Sequence, residues 1–335
     1  MTLAANHDGL LLDLDGTVWS GGEAIEHAVE AINASGLPAM CVTNNASRSA
    51  KDVAEMLRAI GLDAAEGDVL TSAMAAVTMA ARYLDQGDAV YVVGAPSLRQ
   101  LVQEAGYRIV DSADDAPKVV LHGHNPDTGW RQLSEAALSL QQGAKYLATN
   151  LDTSLPMERG FMVGNGSMVA AVTSATGVVP EAAGKPEPAM FIQAAKARGM
   201  NKPLAVGDRL DTDIAGGVAA EMPALHVLTG VSGPHALLQA PPEHRPTYIA
   251  ADMRGLSESP EQLSPGVQEG FEARIDGSAI VLTGGNAIVL TGGNANASSL
   301  AALRTALDVA WQQPDPPAEV RAESDAAEAA LAEWW

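Results

Sequence analysis

Short apolar runs that stop at glycine, asparagine or aspartate alternate with longer amphipathic stretches along most of this chain. Residues 9–14 form the first such run, and it ends in Asp-Leu-Asp-Gly-Thr. That pattern reads as a buried strand followed by a tight turn. Helical spacing follows over 23–34, through Ile25, Ala28, Val29 and Ile32. A second buried strand over 39–43 closes on Asn44 and Asn45, and 49–60 is helical with Ser49 as its N-cap. Strand–helix–strand–helix order predicts a parallel sheet with crossover helices.

The rhythm continues. Residues 89–93 read as a strand closed by Gly94, and 98–105 as a helix. A strand over 118–121 precedes the loop HGHNPDTGW, a helix spans 130–142, and a strand over 146–149 ends in Asn150. Two more strands, 203–206 and 225–228, end in Gly207-Asp208 and Thr229-Gly230. Boundaries fall near Ala80 and Pro180. They define an outer domain made of 1–80 and 181–258, with 81–180 inserted between its halves.

Beyond about residue 260 the texture changes. The octapeptide AIVLTGGN occurs twice in succession over 279–294. Two β-rich runs with Thr-Gly-Gly-Asn turns suit a hairpin, and a duplication that only lengthens a loop is the alternative. Residues 299–311 and 317–335 are alanine-rich and read as helix, so 259–335 is expected to be a small α+β appendage.

Composition narrows the function classes. The 335 residues are 47% apolar, enough for a sizeable core in two domains and a small third. No apolar run approaches the roughly 20 residues that span a bilayer. The N-terminus lacks a basic region, and Cys41 is the only cysteine, which excludes an intramolecular disulfide. A soluble, cytoplasmic protein is the expectation. Twenty basic against 41 acidic residues give a net charge of −21, which argues against nucleic acid and anionic membranes as partners. The same field repels phosphate, so any phosphate site must carry its own local positive charge.

Four clusters can carry chemistry. Asp13 and Asp15 lie just past the first strand, and alternation turns both side chains to one side. Two carboxylates so close call for a cation or a shared proton. Hard oxygens suit Mg²⁺. One carboxylate can bind metal and attack while the other moves a proton; the plain rival is a surface Asp-Gly turn. Thr43, Asn44 and Asn45 offer hydroxyl, amide and N–H groups to phosphate oxygens, or simply cap a strand. Lys185, between Gly184 and Pro186, can neutralise a carboxylate and a phosphate, or sit solvated in a loop. Asp208 and Asp213 in VGDRLDTDI can serve a metal, or decorate a helix N-terminus. All four follow strand ends, where open α/β sheets place their ligands, and together they supply what phosphoryl transfer requires.

These motifs resemble, in the same order, those of the haloacid dehalogenase-like (HAD) superfamily. LLLDLDGTV, VTNNASRS, GNGSMVA, GKPEP and VGDRLDTDI are most similar to the NagD/p-nitrophenylphosphatase branch, over roughly residues 8–255. Within it the chain resembles most the actinobacterial glycerol-3-phosphate phosphatases. Those also carry a C-terminal segment similar to a fragment of an acetyltransferase-like fold. The resemblance implies a Rossmann-like parallel-sheet core with an inserted α/β cap over 81–180. It implies that Asp13 attacks phosphorus to form an aspartyl-phosphate. Asp15 protonates the leaving group and then deprotonates water. Mg²⁺ is then held by the Asp13 side chain, the Asp15 carbonyl and Asp208, with Asp213 in support. Thr43, Asn44, Asn45 and Lys185 hold the phosphoryl group. The second aspartate argues against dehalogenation.

The cap is expected to choose the substrate, with Asn165 and Gly166 as the leading substrate-binding residues. Asp152, Glu158, Arg159, His122 and His124 are further candidates; a zinc site at His122 and His124 lacks an evident third ligand. Glycerol 3-phosphate is the leading substrate. Nucleotides, sugar phosphates and pyridoxal phosphate are rivals, with p-nitrophenyl phosphate as an artificial substrate. A homo-oligomer through the cap is a further expectation. A ligand-binding module on a retained scaffold is the competing class, disfavoured by the presence of both Asp13 and Asp15. Acetyl transfer by the tail lacks a clear acyl-CoA loop.

Overall fold

The computed structural model describes all residues except 158, 277–286, 295–296, 318 and 335. The chain divides into two compact units. One comprises Met1–Ser20, Ala24–Ala39 and Met200–Trp335; the other comprises Gly21–Glu23 and Met40–Gly199.

The first unit is built on parallel strands. Gly9–Leu12 pairs with Pro203–Gly207, which pairs with Ala224–Val227, which pairs with Tyr248–Ala250. Gly9–Leu12, Pro203–Gly207 and Ala224–Val227 are buried along their whole length, so they read in sequence as apolar runs rather than alternating ones, interrupted only by His226 in the third. The expected helix over 23–34 begins later, at Ala28. Glu23–Ala24 instead pairs as a short strand with Trp19–Ser20, and His27 turns the chain in the left-handed region at φ 66°.

The C-terminal part of this unit is a three-stranded sheet with two helices. The second octapeptide lies in the strand Ala287–Gly292, antiparallel to Phe271–Asp276 and parallel to Glu319–Ala322. The first octapeptide falls outside the described residues, and with it the expected hairpin between the two copies. The tail is not helical throughout: Glu319–Ala322 is a strand, and helix resumes at Asp325–Ala332. Helix Ser299–Ala310 lays fully buried Leu303 and Leu307 in a core that includes Phe271, Ile288 and Leu290. Each such side chain stabilises the unit by about 1.5–3 kcal/mol.

The second unit carries a five-stranded parallel sheet. Its order is Glu181–Ala182, Lys145–Ala148, Val119–His122, Ala89–Val93 and Arg108–Val110. Helices Trp130–Gln141 and Asn165–Thr176 pack on one face through Ala136, Leu140, Val169 and Val172 against Tyr91, Val93, Val120 and Tyr146. Strand Ala39–Thr43 pairs in parallel with Val69–Thr71, and Ser49 caps the helix Ala50–Ala59 in a capping box with Asp52. An antiparallel hairpin, Ser154–Met157 with Gly160–Val163, was not expected from the sequence. Phe161 on it is 78% exposed.

Candidate active site

In the first unit the strand ends converge as the sequence predicts. Asp13 follows Gly9–Leu12, and its N–H donates to the Val206 carbonyl at 2.9 Å. Asp208 follows Pro203–Gly207 and is fully buried; Asp213 lies in the next turn at 2% exposure. Carboxylate oxygens of Asp13, Asp208 and Asp213 all lie within 4.8 Å of one another. Three negative charges at that spacing are strongly destabilising unless a cation joins them or protons neutralise them. An all-oxygen donor set of hard carboxylates fits Mg²⁺ rather than a softer metal.

The cluster is held from several sides. Thr17 donates its hydroxyl to Asp208 Oδ1 at 3.4 Å, and the Val231 N–H donates to Asp208 Oδ2 at 2.7 Å. The Arg209 N–H donates to Asp213 Oδ2 at 3.0 Å. Gly16 sits at φ +93°, and a Cβ there would lie 2.5 Å from Asp208 Oδ2. Only glycine lets this turn close over the carboxylate. Thr229 ties the loop after Ala224–Val227 to the same turn by donating to the Gly16 carbonyl at 2.7 Å. Fully buried His226 donates from Nε2 to the Ser232 carbonyl at 2.8 Å. Burial pushes its pKa down to about 4, so it stays neutral.

Asp15 is placed differently from Asp13. It is exposed, and its carboxylate accepts from the Trp19 indole N–H at 2.8 Å. It is therefore held outside the three-carboxylate group, in a short loop where the Gly16 N–H donates to the Trp19 carbonyl. An exposed, oriented carboxylate suits proton exchange with a leaving group and with water.

In the second unit Thr43, Asn44, Asn45 and Lys185 come together. The Asn45 N–H donates to Thr43 Oγ1 at 3.1 Å, and Asn45 Oδ1 accepts from the Ser47 N–H and hydroxyl at 2.9 and 2.7 Å. Lys185, 3% exposed, donates its ammonium to the Val42 carbonyl at 2.9 Å. Asn44 contacts the main chain of Lys185, which the sequence alone did not suggest.

Asn165 begins its helix and is 2% exposed. Its amide donates to the carbonyls of Asn150 at 2.8 Å and His122 at 3.4 Å. Gly166 packs so closely that a Cβ would lie 2.1 Å from the Leu151 carbonyl oxygen. His122 is sealed in the core, with Nδ1 2.8 Å from the Tyr146 hydroxyl, and burial lowers its pKa to about 4. His124 is only partly buried, and among the described residues the one potential metal cluster is the aspartate group. Arg159 is exposed, and Glu158 lies outside the described residues.

Sequence reasoning missed two participants, Trp19 and Val231, and named a third, Asp152, only as a substrate contact. Asp152 accepts from Asn44 Nδ2 at 3.1 Å; Trp19 holds Asp15; Val231 holds Asp208. The last had a signal, because Thr229-Gly230 closes a strand as the recognised motifs do.

Parallel strands ending on a magnesium-type carboxylate cluster, with an oriented second aspartate, define a phosphoryl-transfer hydrolase. The haloacid dehalogenase-like hydrolase family model matches residues 10–108, and a HAD-hydrolase-like model matches 182–256. The chain belongs to this family, in its NagD/p-nitrophenylphosphatase branch, and is a phosphatase of the HAD type. It is 40% identical over 338 aligned positions to the D-glycerol 3-phosphate phosphatase of Mycobacterium tuberculosis, covering 99% of this chain and 95% of that one. The solved magnesium complex of the M. tuberculosis glycerol phosphate phosphatase superposes with a TM-score of 0.92 at 39% identity, over 100% of this chain and 98% of that one. An acid sugar phosphatase of Staphylococcus aureus is 37% identical over 66% of this chain and 86% of its own length. A p-nitrophenyl phosphatase from Archaeoglobus fulgidus matches with a TM-score of 0.69 at 28% identity, over 75% and 98%. Among the described residues no helix is long and apolar enough to cross a membrane.

Proposed function

We propose that this phosphatase hydrolyses glycerol 3-phosphate to glycerol and phosphate through an aspartyl-phosphate on Asp13. The observation that carries the chemistry is the close group of Asp13, Asp208 and Asp213 carboxylates. The substrate assignment is supported by 40% identity over nearly the whole length to a D-glycerol 3-phosphate phosphatase.

Asp13 attacks phosphorus with one carboxylate oxygen, and the bond from phosphorus to the alkoxide breaks. Asp15 gives its proton to that alkoxide. The same carboxylate then takes a proton from water, whose oxygen attacks the phosphorus of the aspartyl-phosphate and releases phosphate and free Asp13. Asp13, the Asp15 carbonyl and Asp208 would hold Mg²⁺, with Asp213 supporting. Bound there, the ion offsets charge on the phosphoryl oxygens and on the attacking carboxylate. Thr43, Asn44, Asn45 and Lys185 are the group assigned to holding the phosphoryl. Positioning and electrostatics dominate because the transition state is loose and rich in charge.

We read 81–180 as the cap on a core made of 1–80 and 181–258, with 259–335 as an appendage. The first turn of the helix at Asn165 and Gly166 is the part assigned to the alcohol end of the substrate, with the Asn165 side chain, buried and spent on the Asn150 and His122 carbonyls, positioning that turn. A sugar phosphate is the second reading, supported by the 37% identity to the acid sugar phosphatase. Exposed Trp130 and Leu138 on one cap helix support a homo-oligomer, and the cytoplasm is the assigned compartment. Phosphate release from a panel of monoesters with Mg²⁺ tests the substrate. A clear preference for another ester overturns glycerol 3-phosphate. Asp13→Asn should abolish turnover while keeping the unfolding midpoint; retained turnover refutes the nucleophile.

A further inference from the structure

One side chain grips the main chain of Lys185 at two points. Asn44 Oδ1 accepts from the Lys185 N–H at 2.8 Å, and Asn44 Nδ2 donates to the Lys185 carbonyl at 3.0 Å. The second N–H of the same amide donates to Asp152 Oδ2 at 3.1 Å. A side-chain amide has two donors in all. Both are engaged, so the Asn44 side chain has none left for a phosphoryl oxygen.

We propose that Asn44 is a positioning residue, whose side chain acts on the phosphoryl group only by fixing Lys185, with Asp152 and Asn150 locking it in place. The inference deepens the phosphatase reading and rests on it. Asn44 is itself anchored: its carbonyl accepts from the Ser72 hydroxyl at 2.6 Å and from Asn150 Nδ2 at 2.8 Å. Asn150, 4% exposed, accepts from the Asp152 N–H at its own Oδ1, and its carbonyl accepts from Asn165. A continuous set of hydrogen bonds thus runs from the start of the helix at Asn165 to Lys185. Gly184 is the residue that permits it, since a Cβ there would lie 2.6 Å from both Asn44 Oδ1 and the Thr149 carbonyl oxygen. Lysine is a point charge on a flexible stem, so the place of its ammonium depends on how firmly its backbone is held. Asp152, a candidate for touching substrate, is here a brace for Asn44.

A double-mutant cycle tests this on the full-length, Mg²⁺-loaded protein with p-nitrophenyl phosphate as substrate. Asn44→Ala should lower kcat/KM by roughly 10- to 100-fold. In a Lys185→Ala background the same substitution should cost less than about threefold, because the residue it serves is gone. Penalties that multiply in full overturn the inference. Where Lys185→Ala turns over too slowly, the dissociation constant of inorganic phosphate carries the same cycle. Mg²⁺ affinity by calorimetry should stay within about twofold in Asn44→Ala; a general loosening would lower it too and would overturn the specific role. Asp152→Ala should act as a weaker Asn44→Ala, and Asp152→Asn should recover most of the loss, since its carbonyl still accepts. A neutral Asp152→Ala overturns the brace, and this pair decides the matter if Asn44→Ala does not fold. Wild-type protein that releases phosphate from no monoester refutes the phosphatase reading itself. Wild-type turnover with multiplying penalties refutes only the present inference.

Discussion

The backbone N–H of Val231 donates to Asp208 Oδ2 at 2.7 Å, so a loop on one strand fixes a metal-type carboxylate on the neighbouring strand. The Thr229 hydroxyl holds that loop to the Gly16 carbonyl at 2.7 Å. Partners that orient a metal ligand typically account for 10- to 100-fold in affinity. Thr229→Val, isosteric but without the donor, should weaken Mg²⁺ binding by roughly fivefold or more by calorimetry. Turnover at saturating Mg²⁺ should change much less. Unchanged affinity would mean the loop does not set Asp208.

The indole of Trp19 orients Asp15 by a single bond of 2.8 Å. Trp19→Phe keeps the buried ring and removes the donor. Turnover of an alkyl phosphate should fall by roughly three- to tenfold. Turnover of p-nitrophenyl phosphate should fall less, because its leaving group needs little protonation. Equal losses would place the role of Trp19 wholly in the hydrolysis of the intermediate.

Acid should destabilise the second unit through His122. Its pKa is pushed by burial from 6.5 down to about 4. Between those values the unfolded chain binds a proton that the folded chain excludes, so stability rises with pH across about 4 to 6.5. The contribution is present in full above the unfolded value and falls away as pH drops toward the folded one, by up to a few kcal/mol. His122→Phe combined with Tyr146→Phe removes the titrating ring and leaves no orphaned hydroxyl partner. Its unfolding midpoint should fall less between pH 7 and 5 than that of the wild type. Parallel curves would show that His122 does not carry the dependence.

The C-terminal part is fastened to the strand Tyr248–Ala250 by Arg304. This side chain is 5% exposed and donates from Nε and Nη2 to the Ile249 carbonyl at 3.0 and 2.5 Å. Burial lowers its pKa to about 10, and it remains charged at neutral pH. Arg304→Ala strips a buried carbonyl of two charged donors and should cost about 2–4 kcal/mol. Arg304→Lys should recover only part, because the two-donor geometry is lost. Both effects are read by denaturant unfolding, and a neutral Arg304→Ala would mean the tail is held by apolar packing alone.

Much of the fold was legible because buried parallel strands must be apolar throughout and must end where polar loops begin. Leu10–Leu12, Met40–Val42 and Leu204–Val206 carry that signature, and Leu225–Val227 carries it except at buried His226. Asp13 and Asp208 were legible for the same reason, since each stands in a turn just beyond such a run. Elements whose form depends on a partner were not legible. Glu319–Ala322 sits in an alanine-rich tail that favours helix, yet parallel pairing with Ala287–Leu290 makes it a strand. Residues 23–27 have helical spacing, but Glu23–Ala24 pairs with Trp19–Ser20 and His27 turns left-handed before the helix starts at Ala28.

The sequence by itself determined the strand order along the chain, the acids of the carboxylate cluster, and the class of chemistry they serve. These follow from residue type and local spacing. Only the tertiary structure decided that Asp213 joins Asp13 and Asp208 while the Asp15 carboxylate turns to Trp19. It alone decided that Asn44, 141 residues from Lys185, spends its amide on that lysine and on Asp152. Hydrogen bonds between residues so far apart depend on where the folded backbone brings each donor, and no local pattern in the chain encodes that distance.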